Sequence, residues 1–201
     1  MTILDELAAY AAERVKKDKE KVSEGEIQRL AEDAVNASAK GPLPSENAAG
    51  STGDTAGASA ASVNGFYEAV KKPGISFICE IKKASPSKGI IDPVFDYKRI
   101  AKDYNEAGAD AVSCLTEPKW FLGSDEIFKE VRSIVESPMI RKDFVVDEYQ
   151  IYQAKVMGAD CVLLICALLD TETIRNYLKI CGDLGLAALV EAHDEKEIDS
   201  A

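Results

Sequence analysis

Glu80 and Lys82 stand two residues apart in Phe77-Ile78-Cys79-Glu80-Ile81-Lys82-Lys83-Ala84-Ser85-Pro86-Ser87-Lys88-Gly89, where an apolar run changes abruptly into charge and then into a turn. At a period of two, Ile78, Glu80 and Lys82 share one face of a strand and Phe77, Cys79 and Ile81 the other, so an acid and a base project together from an apolar wall. An exposed strand end with a solvated ion pair would read the same way, but the arrangement recurs. Residues 138–144 put Ile140, Lys142 and Phe144 on one face, and residues 187–193 put Leu189, Glu191 and His193 on one face, each time with charge late in the run. Two acids and two lysines in a partly dry pocket perturb one another's proton affinities, so one lysine can donate a proton and one carboxylate accept one near neutral pH. The structural alternative, two buried ion pairs, gains little or nothing over apolar packing.

These residues can meet only if their strands lie in one sheet. Strand patterns fall near 77–82, 111–116, 138–144, 161–168 and 187–192, separated by helical patterns at 97–107, 124–136, 147–157 and 171–184. That alternation predicts β/α units and a parallel sheet. Gly108-Ala109-Asp110 and Gly158-Ala159-Asp160 mark equivalent helix-to-strand turns, with glycine just past the helix end. Repetition favours a (β/α)8 TIM-type barrel over an open sheet, and neither a Gly-x-Gly-x-x-Gly after the first strand nor a Gly-x-x-x-x-Gly-Lys-Ser/Thr occurs. In such a barrel, layers of inward side chains come from alternate strands, and chemistry sits at their carboxyl ends. Glu80, Lys82, Lys142 and Glu191 are therefore expected to converge.

Upstream, residues 1–37 form an amino-terminal helical extension: Ile3, Leu4, Leu7, Ala11 and Val15 recur at helical spacing over 2–19, and Ser23-Glu24-Gly25-Glu26 reads as a capping box opening a second helix. Residues 38–64, rich in Ala, Gly, Ser, Thr and Asn, form a low-complexity linker or loop, and 65–201 form a partial TIM barrel.

The chain has 201 residues, 46% of them hydrophobic, enough for one sizeable core. Its longest apolar run, Cys161 to Leu169, is far below the roughly 20 residues of a membrane helix, and no basic-then-apolar leader pattern opens it, so a cytoplasmic location is expected. A formal net charge of -11 and a pI near 4.7 argue against nucleic-acid or anionic-membrane partners. Lys82, Lys83, Lys88, Arg141 and Lys142 at the strand ends nevertheless imply a basic pocket for a small anionic substrate. The five cysteines form no Cys-x-x-Cys pair and read as buried thiols in a reducing compartment. His193, without a second histidine or cysteines at ligand spacing, reads as a pocket-rim or hydrogen-bonding residue, and no metal is assigned. Trp120 and Phe121, between two strands, can wall an aromatic substrate or anchor a loop; Phe144 and Leu163 fit a pocket wall or the ordinary core.

Four ordered segments carry a resemblance: Glu-Ile-Lys-Lys-Ala-Ser-Pro-Ser-Lys-Gly, Leu-Thr-Glu-Pro-Lys-Trp-Phe-Leu-Gly-Ser, Arg-Lys-Asp-Phe-Val-Val-Asp and Leu-Val-Glu-Ala-His. They resemble the indole-3-glycerol phosphate synthase family, from the amino-terminal helices to Ala201. The resemblance implies a cofactor-free lyase of tryptophan biosynthesis that closes 1-(2-carboxyphenylamino)-1-deoxyribulose 5-phosphate to indole-3-glycerol phosphate, with loss of carbon dioxide and water. It implies Lys142 as the general acid on the ketone, Lys82 as holder of the carboxylate or later proton donor, Glu191 as the base restoring aromaticity, and Glu80 as the residue orienting the lysines. Ser85, Pro86, Trp120, Phe121, Phe144 and Leu163 would line the pocket.

Set against the family, the sequence stops within the helix after a fifth strand, so about three of eight β/α units are expected to be missing. Missing with them would be a Gly-x-Asn-x-Arg and a Ser-Glu-Ser-Gly segment and the phosphate grip, leaving feeble or no turnover. Two other readings remain: a half-barrel module completed by self-association or by a complementary fragment, and a related barrel such as phosphoribosylanthranilate isomerase. The Glu-Ile-Lys-Lys-Ala-Ser-Pro-Ser segment argues against the second.

Overall fold

The computed structural model describes residues 2–39 and 65–201, so the low-complexity stretch lies, from residue 40 to 64, outside the described residues. The first helix, α1 (Ile3–Lys21), opens on a capping box in which Thr2 Oγ1 accepts from the Asp5 amide at 3.2 Å and Asp5 accepts from the Thr2 amide at 2.6 Å. Its apolar stripe buries Leu7, Ala11 and Val15 at four-residue intervals. Of the second capping box the structure gives one half, Ser23 Oγ accepting from the Glu26 amide at 3.4 Å, and α2 (Glu24–Ala39) follows. Ile27 of α2 joins Val15 of α1 and Tyr149 in a small apolar cluster.

From α3 (Gly65–Val70) the chain runs β1 (Ile78–Ile81), β2 (Ala84–Ser85), β3 (Gly89–Ile90), α4 (Tyr97–Glu106), β4 (Ala111–Leu115), α5 (Asp125–Arg132), β5 (Met139–Lys142), α6 (Tyr149–Val156), β6 (Cys161–Ile165), α7 (Thr171–Asp183), β7 (Ala187–Glu191) and α8 (Glu195–Ser200). Five strands form one parallel sheet in the order β1-β4-β5-β6-β7, so each major strand pairs with the next and the expected α/β alternation is present. The short α3 and the β2–β3 hairpin, which turns through Ser85-Pro86-Ser87-Lys88, were not legible as elements. Two-residue strands and a six-residue helix are too short to show a period.

The helix-to-strand turns explain their repeated sequence. Gly108 and Gly158 each lie one residue past a helix C-cap with φ of 73° and 84°, a backbone region that favours glycine. The aspartate two residues after each glycine tethers the start of a neighbouring strand. Asp110 accepts from the Phe77 amide at 2.9 Å, just ahead of β1, and Asp160 accepts from the Met139 amide at 2.8 Å, at the start of β5.

Side-chain alternation divides the sheet. Ile81, Val112, Cys114, Met139, Val162 and Leu164 face the helices and join the main core with Ala101, Phe128, Val131, Ile151, Ala154 and Ile174. The opposite face begins with a small apolar plug, Phe66 of α3 against Ala111, Ile140 and Cys161. Two residues further along the strands, that face carries the charge.

Candidate functional site

Register assembles the site. Glu80 is opposite Ser113 and Ser113 opposite Ile140, so Glu80, Ser113 and Lys142 belong to one face across three adjacent strands. Glu80 is the hub: Oε1 accepts from Lys82 Nζ at 2.5 Å and Oε2 from Lys142 Nζ at 2.9 Å, with Ser113 Oγ 3.4 Å from Oε2. The Tyr104 hydroxyl donates to the Glu80 carbonyl at 3.2 Å, fixing the backbone beneath it. Partial burial pushes the Glu80 carboxyl up, but the hydrogen bonds and charges of Lys82 and Lys142 outweigh it and hold the group below the usual carboxylate range. Glu80 therefore stays ionised at neutral pH, and each ammonium keeps donors to spare for a ligand.

Glu191 is not part of this contact. It pairs in register with Ile165, while Leu189 pairs with Leu163, so it stands further toward the carboxyl end of the edge strand. There its carboxylate lies 3.5 Å from His193 Nε2, and the His193 amide donates to Glu197 at 2.8 Å. Three of the four expected charges meet directly, and the exposed His193 imidazole stands 3.5 and 3.4 Å from the Glu191 and Glu197 carboxylates. Among the described residues no group of three or more His, Cys, Asp or Glu is placed to hold a metal ion, and no helix is long and apolar enough to cross a membrane.

Arg141 corrects the expected basic pocket. One residue from Lys142, it points to the helix face, is 3% exposed, and donates to the Gln150 carbonyl and Asp125 at 3.0 and 3.1 Å. Lys83 lies over the Phe95 ring at 5.9 Å, and Lys88 is exposed in the hairpin. The positive charge of the site is thus Lys82 and Lys142.

Around it, Phe121 and Phe144 touch at 6.0 Å between ring centroids, and Leu163, 4% exposed, sits on the charged face of β6. Ser85 and Pro86 lie in the hairpin just beyond Lys82, where Ser85 Oγ accepts from the Lys88 amide at 3.3 Å. Trp120 is engaged elsewhere: it meets Tyr10 of α1 edge to face at 5.6 Å, and Lys119 lies over its ring at 4.2 Å. Of the two aromatic loop residues, Trp120 anchors the loop to α1 and Phe121 meets Phe144. The loop is shaped by Glu117, 0% exposed, whose carboxylate accepts from the amides of Lys119, Trp120 and Phe121 at 2.8, 2.8 and 2.9 Å.

Sequence reasoning missed Ser113, Glu117, Arg14 and Asp143. Asp143 is flanked by Lys142 and Phe144, and alternation alone places it on the helix face beside Arg141, where a buried carboxylate must find partners. One partner is Arg14, 129 positions away, for which no local pattern exists.

A sequence model of the indole-3-glycerol phosphate synthase family matches residues 4–201. A curated protein of that name from Ruminiclostridium cellulolyticum is 50% identical over 199 residues, which is 99% of this chain and 67% of that protein. One from Carboxydothermus hydrogenoformans is 40% identical over 202 residues, 98% of this chain and 68% of that protein. A third, from Endomicrobium trichonymphae, is 54% identical over 136 residues, 68% and 53% of the two chains. The chain thus spans between about half and two thirds of the length of these relatives. A mandelate oxidase crystal structure overlaps 64% of this chain and 53% of its own at a TM-score of 0.44 and 11% identity, too loose a likeness to bear on the fold.

Proposed function

Because the chain belongs to the indole-3-glycerol phosphate synthase family, we propose that its five parallel strands are an arc of a (β/α)8 barrel and that Glu80, Lys82 and Lys142 are the acid–base centre of the synthase reaction. The observation that carries this is the pair of ammonium groups held on one carboxylate, Lys82 at 2.5 Å and Lys142 at 2.9 Å from Glu80. A substrate bearing a benzoate carboxylate and a ketone needs cations at both places. Lys142 delivers its proton to the ketone oxygen as the ring carbon attacks, so the oxygen becomes a hydroxyl while the new carbon–carbon bond forms. Lys82 pairs with the substrate carboxylate until carbon dioxide leaves, its bonding electrons passing back into the ring, and then protonates the departing hydroxyl. Glu191 takes the proton whose loss restores aromaticity, and Glu80, ionised throughout, keeps both lysines aimed. Phe121, Phe144 and Leu163 offer the ring an apolar wall beside Ser85 and Pro86.

The test is a single-turnover incubation with chain in excess over carboxyl-labelled substrate, following carbon dioxide release with Lys142→Met in parallel. Release above the protein-free rate that depends on Lys142 supports the reading. Release above that rate that Lys142→Met leaves unchanged overturns it.

The exposure of Ile78 and Leu189, 43% and 42% on the charged faces of the two edge strands, supports a second reading. In it the chain is a half-barrel module that gains its remaining wall from a second copy or a complementary fragment. A monomer in sedimentation at micromolar concentration would count against it.

A further inference from the structure

Asp143 faces away from the site, yet it sits between two site residues, Lys142 and Phe144. It is 2% exposed, and both its oxygens are fully engaged. Oδ1 accepts from Arg14 Nη2 at 2.6 Å and the Phe144 amide at 2.8 Å; Oδ2 accepts from Arg14 Nη1 at 3.0 Å and Thr116 Oγ1 at 2.7 Å. Arg141 Nη2 lies 3.8 Å from Oδ2 as a second cation. Burial pushes the Asp143 carboxyl up, and the Arg14 hydrogen bonds with the charges of both arginines more than reverse it, so the group is a carboxylate. The Thr116 amide also donates to the Lys142 carbonyl at 3.1 Å, tying the end of β4 to the residue that carries the candidate acid.

Helix α1 grips the same corner at a second point. Lys19 Nζ lies 2.8 Å from Asp147, and the Tyr149 hydroxyl donates to the Val22 carbonyl at 3.0 Å. The chain from Asp143 to Tyr149, which starts where Lys142 ends, is therefore fastened to α1 along its length. A buried ion pair is weak evidence of stability, since apolar packing of similar volume often serves as well. Its geometric effect is definite: a bidentate fork fixes the direction of the carboxylate and of the backbone carrying it.

We propose that the Arg14–Asp143 pair is a positioning clamp, through which the first helix sets the direction of Lys142 and Phe144 toward the substrate. Arg14 and Asp143 are then positioning residues, acting only through their neighbours, and the inference rests on the synthase reading for its catalytic consequence but not for its geometric one.

The two are separated by reading Lys142 itself. With lysines reductively methylated with carbon-13, the Lys142 resonance is assigned by its loss in Lys142→Arg and compared between the unaltered chain, Arg14→Met, Arg14→Lys and, as control, Arg29→Met, which breaks only an exposed pair with Asp33. The Lys142 resonance is expected to move toward that of unconstrained dimethyl-lysine in Arg14→Met, to move less in Arg14→Lys, and to stay in place in Arg29→Met. In the single-turnover assay, the maximal rate in Arg14→Met should fall about 10- to 100-fold. The half-saturating chain concentration should change by less than about threefold, with partial recovery in Arg14→Lys. Thr116→Val, which removes one hydrogen bond to Asp143 and leaves the ion pair, repeats the test at smaller amplitude and does not depend on Arg14→Met folding. An unmoved Lys142 resonance in Arg14→Met and Thr116→Val overturns the clamp. A moved resonance with carbon dioxide release that Lys142→Met leaves unchanged keeps the clamp and overturns the synthase reading instead.

Discussion

Replacing Gly123 by alanine should detach the loop that carries Phe121 and Trp120. A Cβ built on Gly123 would lie 2.1 Å from the Leu115 carbonyl oxygen, 2.6 Å from its carbon and 3.0 Å from the Thr116 nitrogen, all backbone atoms of a strand end that cannot swing aside. Ordinary contact begins near 3.4 Å, so the loop must retreat by the 1.3 Å shortfall. Such overpacking costs about 1–3 kcal/mol. The retreat also breaks the 2.9 Å bond from the Gly123 amide to the Glu117 carbonyl, adding about 1 kcal/mol. A total of about 2–4 kcal/mol, at a urea slope of about 2 kcal/mol per molar, lowers the unfolding midpoint by about 1–2 M with the slope unchanged. Trp120, the chain's one tryptophan, reports the same event locally, because release from Tyr10 and Lys119 exposes it to water and shifts its emission to the red before global unfolding. Gly182→Ala, inside α7 with nothing within 4 Å of its Cβ, is the control and should stabilise by about 0.5–1 kcal/mol. A Gly123→Ala chain whose midpoint lies within about 0.3 M of the unaltered one, with unshifted emission, would refute the close approach of loop and strand.

Glu117→Ala leaves the amides of Lys119, Trp120 and Phe121 without their buried acceptor and should cost about 3 kcal/mol in urea unfolding, with Glu117→Gln, which keeps one acceptor oxygen, costing less. Because the folded state holds the Asp143 carboxyl below its ordinary 3.8, the stability it contributes is complete above that pH and is lost as pH falls further; Asp143→Asn should therefore flatten the acid limb of a melting-temperature profile, and an unchanged limb would count against the buried carboxylate. Burial pushes the thiols of Cys114, Cys161 and Cys181 up to about 12, so at pH 8 iodoacetamide should label the half-buried Cys79 first; peptide mapping that finds Cys114 modified as fast would contradict the packing of β4.

The alternation of strands and helices was legible because each unit carries its own local signals, from the aspartate and serine caps at Asp96, Ser124 and Asp170 to the glycines at 108 and 158. Glu80, Lys82 and Lys142 were legible for a related reason: a charge at the inward position of a buried strand contradicts its surroundings, and period two says which way it points. The same rule, applied one residue further, explains the error with Arg141, whose charge belongs to the helix face. What local patterns could not supply were partners chosen by tertiary structure. Nothing near Arg14 announces Asp143, and nothing near Tyr10 announces Trp120. Glu191 was placed on the correct face, but its height relative to Lys142 depends on sheet register, and register put it beside His193.

Why the charges can meet at all follows from the residue between them. Strands β1 and β5 are not neighbours; β4 separates them, which puts their backbones about 10 Å apart. Glu80 and Lys142 span that distance only because the β4 residue in register with Glu80 is Ser113, short enough to lie beneath the ion pair and polar enough to bond to it at 3.4 Å. A valine or leucine there would fill the gap and push the long side chains apart. At the other end of the same face the requirement is reversed: Ala111 on β4 leaves room for Phe66 to close the sheet with Ile140 and Cys161. The face is thus graded along the strands, from an apolar plug where the strands begin to a charged layer where they end. This grading confines the desolvation cost of Glu80, Lys82 and Lys142 to the rim, where Lys82 and Lys142 remain 32% and 37% exposed and can still reach a ligand.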